Sequence, residues 1–558
     1  MSSKLRYDLK ENRLTYTGQA DRAEFTNERI WEFNHTHRVV LGNYDLTLVS
    51  GVQTELHDQT NKNSNLGALR NRQLRHSVVL SAALSSVAVA LHGRGAIHNY
   101  SEDQITKDLR EKLKRANDRT SAQIIADVLQ TTTASLPESE TVLIESAITE
   151  GARMKPGKEL GANPTIPVGA VFGKEDHRSH YGLSMPRNVT QLSMGSDVVE
   201  GTTKSVYGLH SSMTTLFVTE SGVKRHLPDI YVQSWAAGAY FDEFNPREAS
   251  LLEAAEIIAK AYGLDSIDKL SAFFLDRPRH VPAMDALNKA GVATPFDKDG
   301  DMFPALIVGM EGLHFPDGRQ LNSIIGEIGG SAEWAISALP LVWRCGQALG
   351  MLTSQSSLTR SDLSAEMRWK ERFHYTEDEY MLIQDARFER KPWFTIDDIV
   401  EDPMAGGISA FGAITDNLYL PFMKGVQINE DAGRITVNTL VINSLGEMQG
   451  WTLEFECKTS ISKTRELMGS PKISLRDFEG SDLEKAIGDM LSDPRERERF
   501  RIFFNNEYYP ALIPVRDKLV LLNRVLGALI ERGAMRRTDR DIVDATVRLA
   551  PEWFANSD

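Results

Sequence analysis

The segment Ser196-Asp197-Val198-Val199-Glu200-Gly201-Thr202-Thr203 constrains this chain most, because two carboxylates three residues apart run directly into a glycine and two hydroxyls. A strand end that turns sharply would aim Asp197 and Glu200 at one point. Gly201 would let backbone N–H groups approach an anion, and Thr202 would add a hydroxyl. Hard oxygen ligands beside an anion cradle are what Mg²⁺ or Mn²⁺ and a phosphate require together. The competing reading is a solvated turn, for which Asp, Glu, Gly and Thr are ordinary residues.

With 558 residues, 41% hydrophobic and 25% charged, the chain has the length for two or three domains and a large core. A formal charge of −14 argues against a general nucleic-acid binder, which needs clustered Lys and Arg. Cys345 and Cys457 stand too far apart in sequence to suggest a disulfide framework or a thiolate zinc site. The first residues lack the apolar core of a signal peptide, and the apolar run Ser77 to Leu91 is short of the ~20 residues of a membrane span. A cytoplasmic protein with no membrane partner is expected.

Along the chain, residues 1–70 read as a polar N-terminal arm in which His35 and His37 would share one face of a strand. Leu74 to Leu91 reads as a buried helix, and Asp103 to Arg115 and Thr120 to Leu129 as two more. Thr141 to Ile144 is a short apolar strand delivering Glu145 at its end, with Glu150 five residues on. Met213 to Thr219 reads as a strand, Ser221-Gly222 as a hairpin turn, and Ile230 to Val232 as the return. In Asp276-Arg277-Pro278-Arg279-His280 two guanidinium groups flank a proline, where they could fork onto phosphate oxygens or form a solvated basic turn. Asp297 to Asp301 looks like part of a calcium loop without its closing Glu. Ile324 to Trp334 reads as strand, glycine turn and helix start, with Glu333 in the first turn either as a ligand or as a complement to the helix dipole. Residues 356–402 look like an insertion. The tail from 475 is helical, with Leu519, Leu522, Leu526 and Leu529 forming a face that suits a homo-oligomer.

The order of these pieces resembles the class II fructose-1,6-bisphosphatases of the lithium-sensitive, metal-dependent sugar and inositol phosphatase superfamily. The matching segments are Ile144-Glu145 to Met154, Ser196 to Thr203, Leu227 to Tyr231, Arg277 to His280, Asp299-Gly300-Asp301, Ile328 to Glu333 and, more weakly, Asp402 to Thr415. The resemblance implies a layered αβαβα sandwich of two lobes. Residues 71–245 would form a metal-binding lobe and 246–474 a sugar-phosphate lobe, followed by a helical extension over 475–558. It implies that Glu145, Asp197, Glu200 and Glu333 bind Mg²⁺ or Mn²⁺, with Asp197 bridging. Thr202 would orient or deprotonate the attacking water, and Gly201 and Thr202 would hold the departing phosphate. Tyr231, Arg277, Arg279, Asp299 and Asp301 would grip the sugar and its distal phosphate.

Two departures stand out. The family's Glu-Gly-Glu is matched to Glu145-Ser146-Ala147, which replaces one carboxylate by Ala147, and its first ligand aspartate aligns near Ser121, with Asp118 or Asp103 alternatives only under a shift of register. The expected activity is metal-dependent hydrolysis of a sugar phosphate or bisphosphate. The alternatives are a specialised biosynthetic enzyme with another substrate, and a non-catalytic sugar-phosphate binder that lost a metal.

Overall fold

The computed structural model describes residues 44–57, 72–151, 164–166, 170–174, 189–223, 231–241, 249–310, 321–352 and 393–469 apart from 419 and 421, together with the backbone of 4–8, 13–17 and 313–314. The histidines at 35 and 37, most of the insertion and the C-terminal extension lie outside the described residues.

A nine-stranded sheet forms the larger half. Its order is β3 (Leu46–His57), β18 (Met448–Cys457), β17 (Arg434–Asn443), β15 (Gly407–Ala413), β7 (Met213–Thr219), β6 (Thr190–Glu200), β4 (Val142–Thr149) and β5 (Val171–Phe172), with β16 (Gln427–Asn429) beside β17. β4 and β6 run parallel, whereas β6, β7, β15, β17, β18 and β3 are antiparallel in turn. A four-stranded sheet has the order β12 (Ser323–Gly330), β8 (Tyr231–Ala237), β13 (Gln347–Leu352) and β14 (Trp393–Phe394). Short pairs are made by β9 (Phe274–Leu275) with β10 (Phe296–Asp297), and by β1 (Lys4–Asp8) with β2 (Arg13–Thr17) and β11 (Leu313–His314).

Three apolar clusters give the layering. The helices Arg72–His92 and Lys107–Ser135 bury Val78, Leu84, Ile125 and Val128 with Ile144, Val218 and Leu453 of the large sheet. The helices Met302–Ile307 and Ser331–Trp343 share a second cluster with Phe217, Phe411 and Leu440 of the large sheet and Val232, Ile324 and Ile328 of the small one. The helices Leu251–Ala261 and Val281–Lys289 close the far side against Trp235, Ile325 and Leu349. The succession helix, sheet, helix, sheet, helix is the expected αβαβα sandwich. The described stretch long and apolar enough to cross a membrane, from Leu74, lies in the first of these clusters, with 83% of its apolar window buried.

The structure departs from the sequence reading at several points. The helices expected over Asp103–Arg115 and Thr120–Leu129 are one continuous helix, Lys107–Ser135, because the polar run at its centre is a buried polar face and not a break: Asn117 Nδ2 donates to Ser205 Oγ at 2.7 Å. Ser221-Gly222 does not turn a hairpin, since β7 and β8 belong to different sheets. The larger half also recruits β15, β17 and β18, so the sheets do not follow a single cut near residue 245.

Candidate metal centre

On a regular strand, residues three apart point to opposite faces. Asp197 and Glu200 nevertheless converge, because a β-bulge interrupts the β6–β7 register: Asp197 faces Thr215 and Glu200 faces Met213, so Val198 and Val199 stand opposite Thr214 alone. The chain then turns at Gly201, whose φ of 69° is left-handed, into the short helix Thr202–Tyr207. Opposite, Glu333 sits in the first turn of Ser331–Trp343 and accepts from Gly330 N–H at 2.7 Å through Oε2. Asp197, Glu200 and Glu333 each bring one carboxylate oxygen into a group within 4.8 Å. Glu333 is therefore both helix cap and member of the acidic cluster.

Glu145 does not join them. The strand expected to end at Ile144 runs on to Thr149, and Glu145 lies in its middle, paired with Val171 and Ser193. It is four residues of β6 short of Asp197, roughly 13 Å at strand spacing. Glu150, in the turn after β4, lies nearer: its N–H donates to Ser196 O at 3.0 Å, and its charge helps to raise Asp197. Ala147 is a core residue at the bulge in β4 and stands in no ligand position.

A carboxylate also lies close to the position matched to the upstream aspartate. Ser121 Oγ donates to Val198 O and meets Ser85 Oγ. Asp118, three residues earlier on the same helix face, turns Oδ1 to within 3.3 Å of Thr202 Oγ1, whose hydroxyl is also 2.9 Å from Val199 O. Asp118 Oδ2 is buried with no hydrogen-bond partner. Nothing local marks Asp118 in the sequence; its only signal is polarity in mid-helix.

The electrostatics are those of acids crowded without compensation. Burial raises Asp197 well above the carboxylate range, helped by Glu150, Glu200 and Glu333. Burial pushes Asp118 up to about 8 and Glu200 to about 7. Asp301 rises to about 6, mainly by burial, with the Arg279 guanidinium opposing. Glu200 Oε1 accepts from Met302 N–H at 2.9 Å, which ties the cluster to the loop bearing Asp299 and Asp301. Close packing explains the glycines here: a Cβ on Gly329 would fall 1.8 Å from Asp301 Oδ2. Several buried carboxylates, one with an orphaned oxygen, fit a hard divalent cation.

The basic side is built from the Leu275–His280 turn. Arg277 donates to Asp299 Oδ1 at 3.3 Å and to Lys298 O. Arg279 donates to Ile328 O at 2.8 Å and lies 5.2 Å over the Tyr231 ring, a cation–π distance. Arg277, Arg279, Tyr231, Asp299 and Asp301 are thus neighbours. The sequence reading missed Glu327, a buried carboxylate on β12 that burial holds well above its ordinary range. Asp301, Glu327 and Glu333 line one small cleft together with Ala305, Trp334 and Leu341.

The family model for bacterial fructose-1,6-bisphosphatase, glpX-encoded, matches residues 182–450. Over that span the chain is similar to that family. Curated relatives named D-fructose 1,6-bisphosphatase class 2/sedoheptulose 1,7-bisphosphatase include that of Synechocystis sp., 26% identical over 208 residues, covering 37% of this chain and 57% of the relative. That of Synechococcus elongatus is 28% identical over 181 residues, or 32% and 50%. That of Synechococcus sp. (strain JA-3-3Ab) is 27% identical over 237 residues, or 41% and 60%. The chain spans little more than half the length of these class II relatives.

Proposed function

We propose that the chain is a divalent-metal-dependent phosphatase acting on a sugar bisphosphate. The observation that carries this is the grouping of Asp197, Glu200 and Glu333 before the Gly201-Thr202 turn, with Asp118 against Thr202 and the charge of Glu150 acting on Asp197. Asp197, Glu200, Glu333, Asp118 and Glu150 would hold Mg²⁺ or Mn²⁺; Glu145 has no part. The bound cation would neutralise phosphoryl oxygens and acidify a water.

The chain's own groups then position the reactants. The N–H groups after Gly201 and the Thr202 hydroxyl face the phosphate to be removed, and Thr202, held between Val199 O and Asp118, orients the attacking water. The water oxygen bonds to phosphorus as the phosphorus–sugar oxygen bond breaks, its proton passing to a carboxylate of the cluster, which returns a proton to the departing sugar oxygen so that it leaves as a hydroxyl. Arg277 and Arg279 grip the second phosphate, Tyr231 packs beside it, and Asp299 and Asp301 accept from sugar hydroxyls. The naming of the relatives for fructose 1,6- and sedoheptulose 1,7-bisphosphate supports a ketose bisphosphate as substrate. Asp118 beside Thr202 offers a stand-in for the upstream aspartate, which weighs against the non-catalytic reading.

The test is phosphate release from a panel of sugar mono- and bisphosphates with Mg²⁺ and with Mn²⁺. Release from a bisphosphate, abolished in Asp197→Asn, is expected. Binding of a sugar phosphate, seen as a raised melting temperature without any release, would overturn catalysis in favour of a binder.

A further inference from the structure

The turn carrying both arginines is fastened to β12 by one residue that the proposed chemistry does not use. Glu327 Oε2 accepts from Leu275 N–H at 3.0 Å, and its Oε1 lies 3.2 Å from His280 Nε2. His280 Nδ1 in turn lies 2.8 Å from Leu275 O, a contact in which the ring nitrogen donates. The first and last residues of the turn are therefore closed into a ring through a single carboxylate, and Arg279 is anchored to Ile328, the next residue of the same strand. Glu327 and His280 are each 1% exposed. A β-bulge at Gly326, with φ of 74°, breaks the pairing with β8 immediately before Glu327.

Packing alone gives no reason for a carboxylate there. The neighbouring residues Ile324, Ile325 and Ile328 are apolar core, and a buried acid is costly unless its oxygens are met. Among the described residues Glu327 is met by the Leu275–His280 turn, through the hydrogen bond from Leu275 N–H and the 3.2 Å approach of His280, so the turn and the acid specify one another.

We propose that Glu327 is a positioning residue that, with His280, holds Arg277 and Arg279 as a preformed grip for a phosphate. The identity of the gripped group rests on the phosphatase reading; the fastening does not. A grip fixed before binding spares the ordering cost of two long side chains and their loop, so its loss should fall on substrate capture and leave the chemical step intact.

The experiment compares Glu327→Leu, which suits a buried apolar setting, with Glu327→Gln, whose amide can still accept from Leu275 N–H and donate toward His280 Nε2. Hydrogen exchange is followed over a peptide spanning residues 274–281, and steady-state kinetics with fructose 1,6-bisphosphate and Mg²⁺. In Glu327→Leu the turn should exchange about tenfold faster or more and KM should rise about tenfold with kcat within about twofold, as for loss of a charged hydrogen bond. Glu327→Gln should stay within about threefold of the parent in both readouts. His280→Ala, which opens the ring from its other end, should repeat the Glu327→Leu pattern and replaces it if that variant does not fold. Unchanged exchange in a folded Glu327→Leu or His280→Ala, equal losses in the Gln and Leu variants, or a loss borne by kcat alone would overturn the proposal. If the parent protein turns over no sugar bisphosphate, the phosphatase reading fails while exchange over the turn still decides the fastening.

Discussion

Lys204 Nζ lies 2.6 Å from Asp297 Oδ2, in a pair whose lysine side chain is 3% exposed. It joins the helix that follows β6 to β10, the strand leading into Asp299 and Asp301. The helix after the acidic strand and the segment leading to Asp299 and Asp301 are thereby joined through one lysine. Removing one partner of such a pair leaves the other charge buried. Lys204→Ala should cost about 3 kcal/mol of stability, measurable by urea unfolding, and Lys204→Met with Asp297→Leu should restore most of it. A single-variant loss of a few tenths of a kcal/mol would show the pair to be incidental.

The two candidate glutamates of the β4 segment make opposite predictions. Glu150→Gln and Asp118→Asn should each lower kcat by about a hundredfold or more, since each neutralises a carboxylate beside Asp197 or Thr202. Glu145→Gln should leave turnover and metal dependence within about twofold, as its place lies up the strand. A Glu145 variant that loses metal-dependent turnover would return the ligand to its sequence-based assignment.

Stability should respond to pH through the crowded acids. Asp118, Glu200 and Asp301 have folded-state values raised to about 8, about 7 and about 6. A raised carboxyl contributes stability that is complete below its unfolded value near ~4 and lost as pH rises through the folded value. The chelator-treated protein should therefore melt at progressively lower temperature from about pH 5 to about pH 8. Saturating Mn²⁺ should flatten that slope, so the metal-induced rise in Tm should be larger at the alkaline end. A metal effect independent of pH would contradict the proposed ligands.

Arg279→Ala should separate the two ends of the substrate. Its guanidinium is held by Ile328 O and Tyr231 on the rim opposite the acidic cluster. Turnover of a sugar bisphosphate should fall by about tenfold or more relative to that of the corresponding monophosphate, in keeping with one charge-assisted phosphate contact. Equal losses on both substrates would remove Arg279 from the distal phosphate.

Much of this was legible in the residues. The octapeptide around Asp197 announced its chemistry because few structural needs combine those residue types, and the glycine turns before Glu333 and Asp301 gave the helix and loop starts their punctuation. What the sequence concealed was register. Glu145-Ser146 places two polar residues inside a strand, so the strand looks finished at Ile144 and Glu145 reads as lying at its end, whereas the strand runs on to Thr149. Asp118 lies mid-helix among Asn117, Arg119 and Thr120, a run that imitates a loop until its neighbours in space are known. The convergence of Asp197 and Glu200 depends on a bulge defined by the partner strand, which no local pattern reveals.

The order of the large sheet has a consequence for how the protein is made. β3, near the amino-terminal end of the described chain, has β18 as its neighbour in that sheet, and β18 is reached only after β6, β7, β15 and β17 have been synthesised. An emerging chain must therefore keep a twelve-residue strand unpaired until residues 448–457 leave the ribosome. A nascent chain stalled before Met448 would carry the whole acidic centre and still offer β3 to whatever edge it meets, which makes that interval the one in which a chaperone has most to cover.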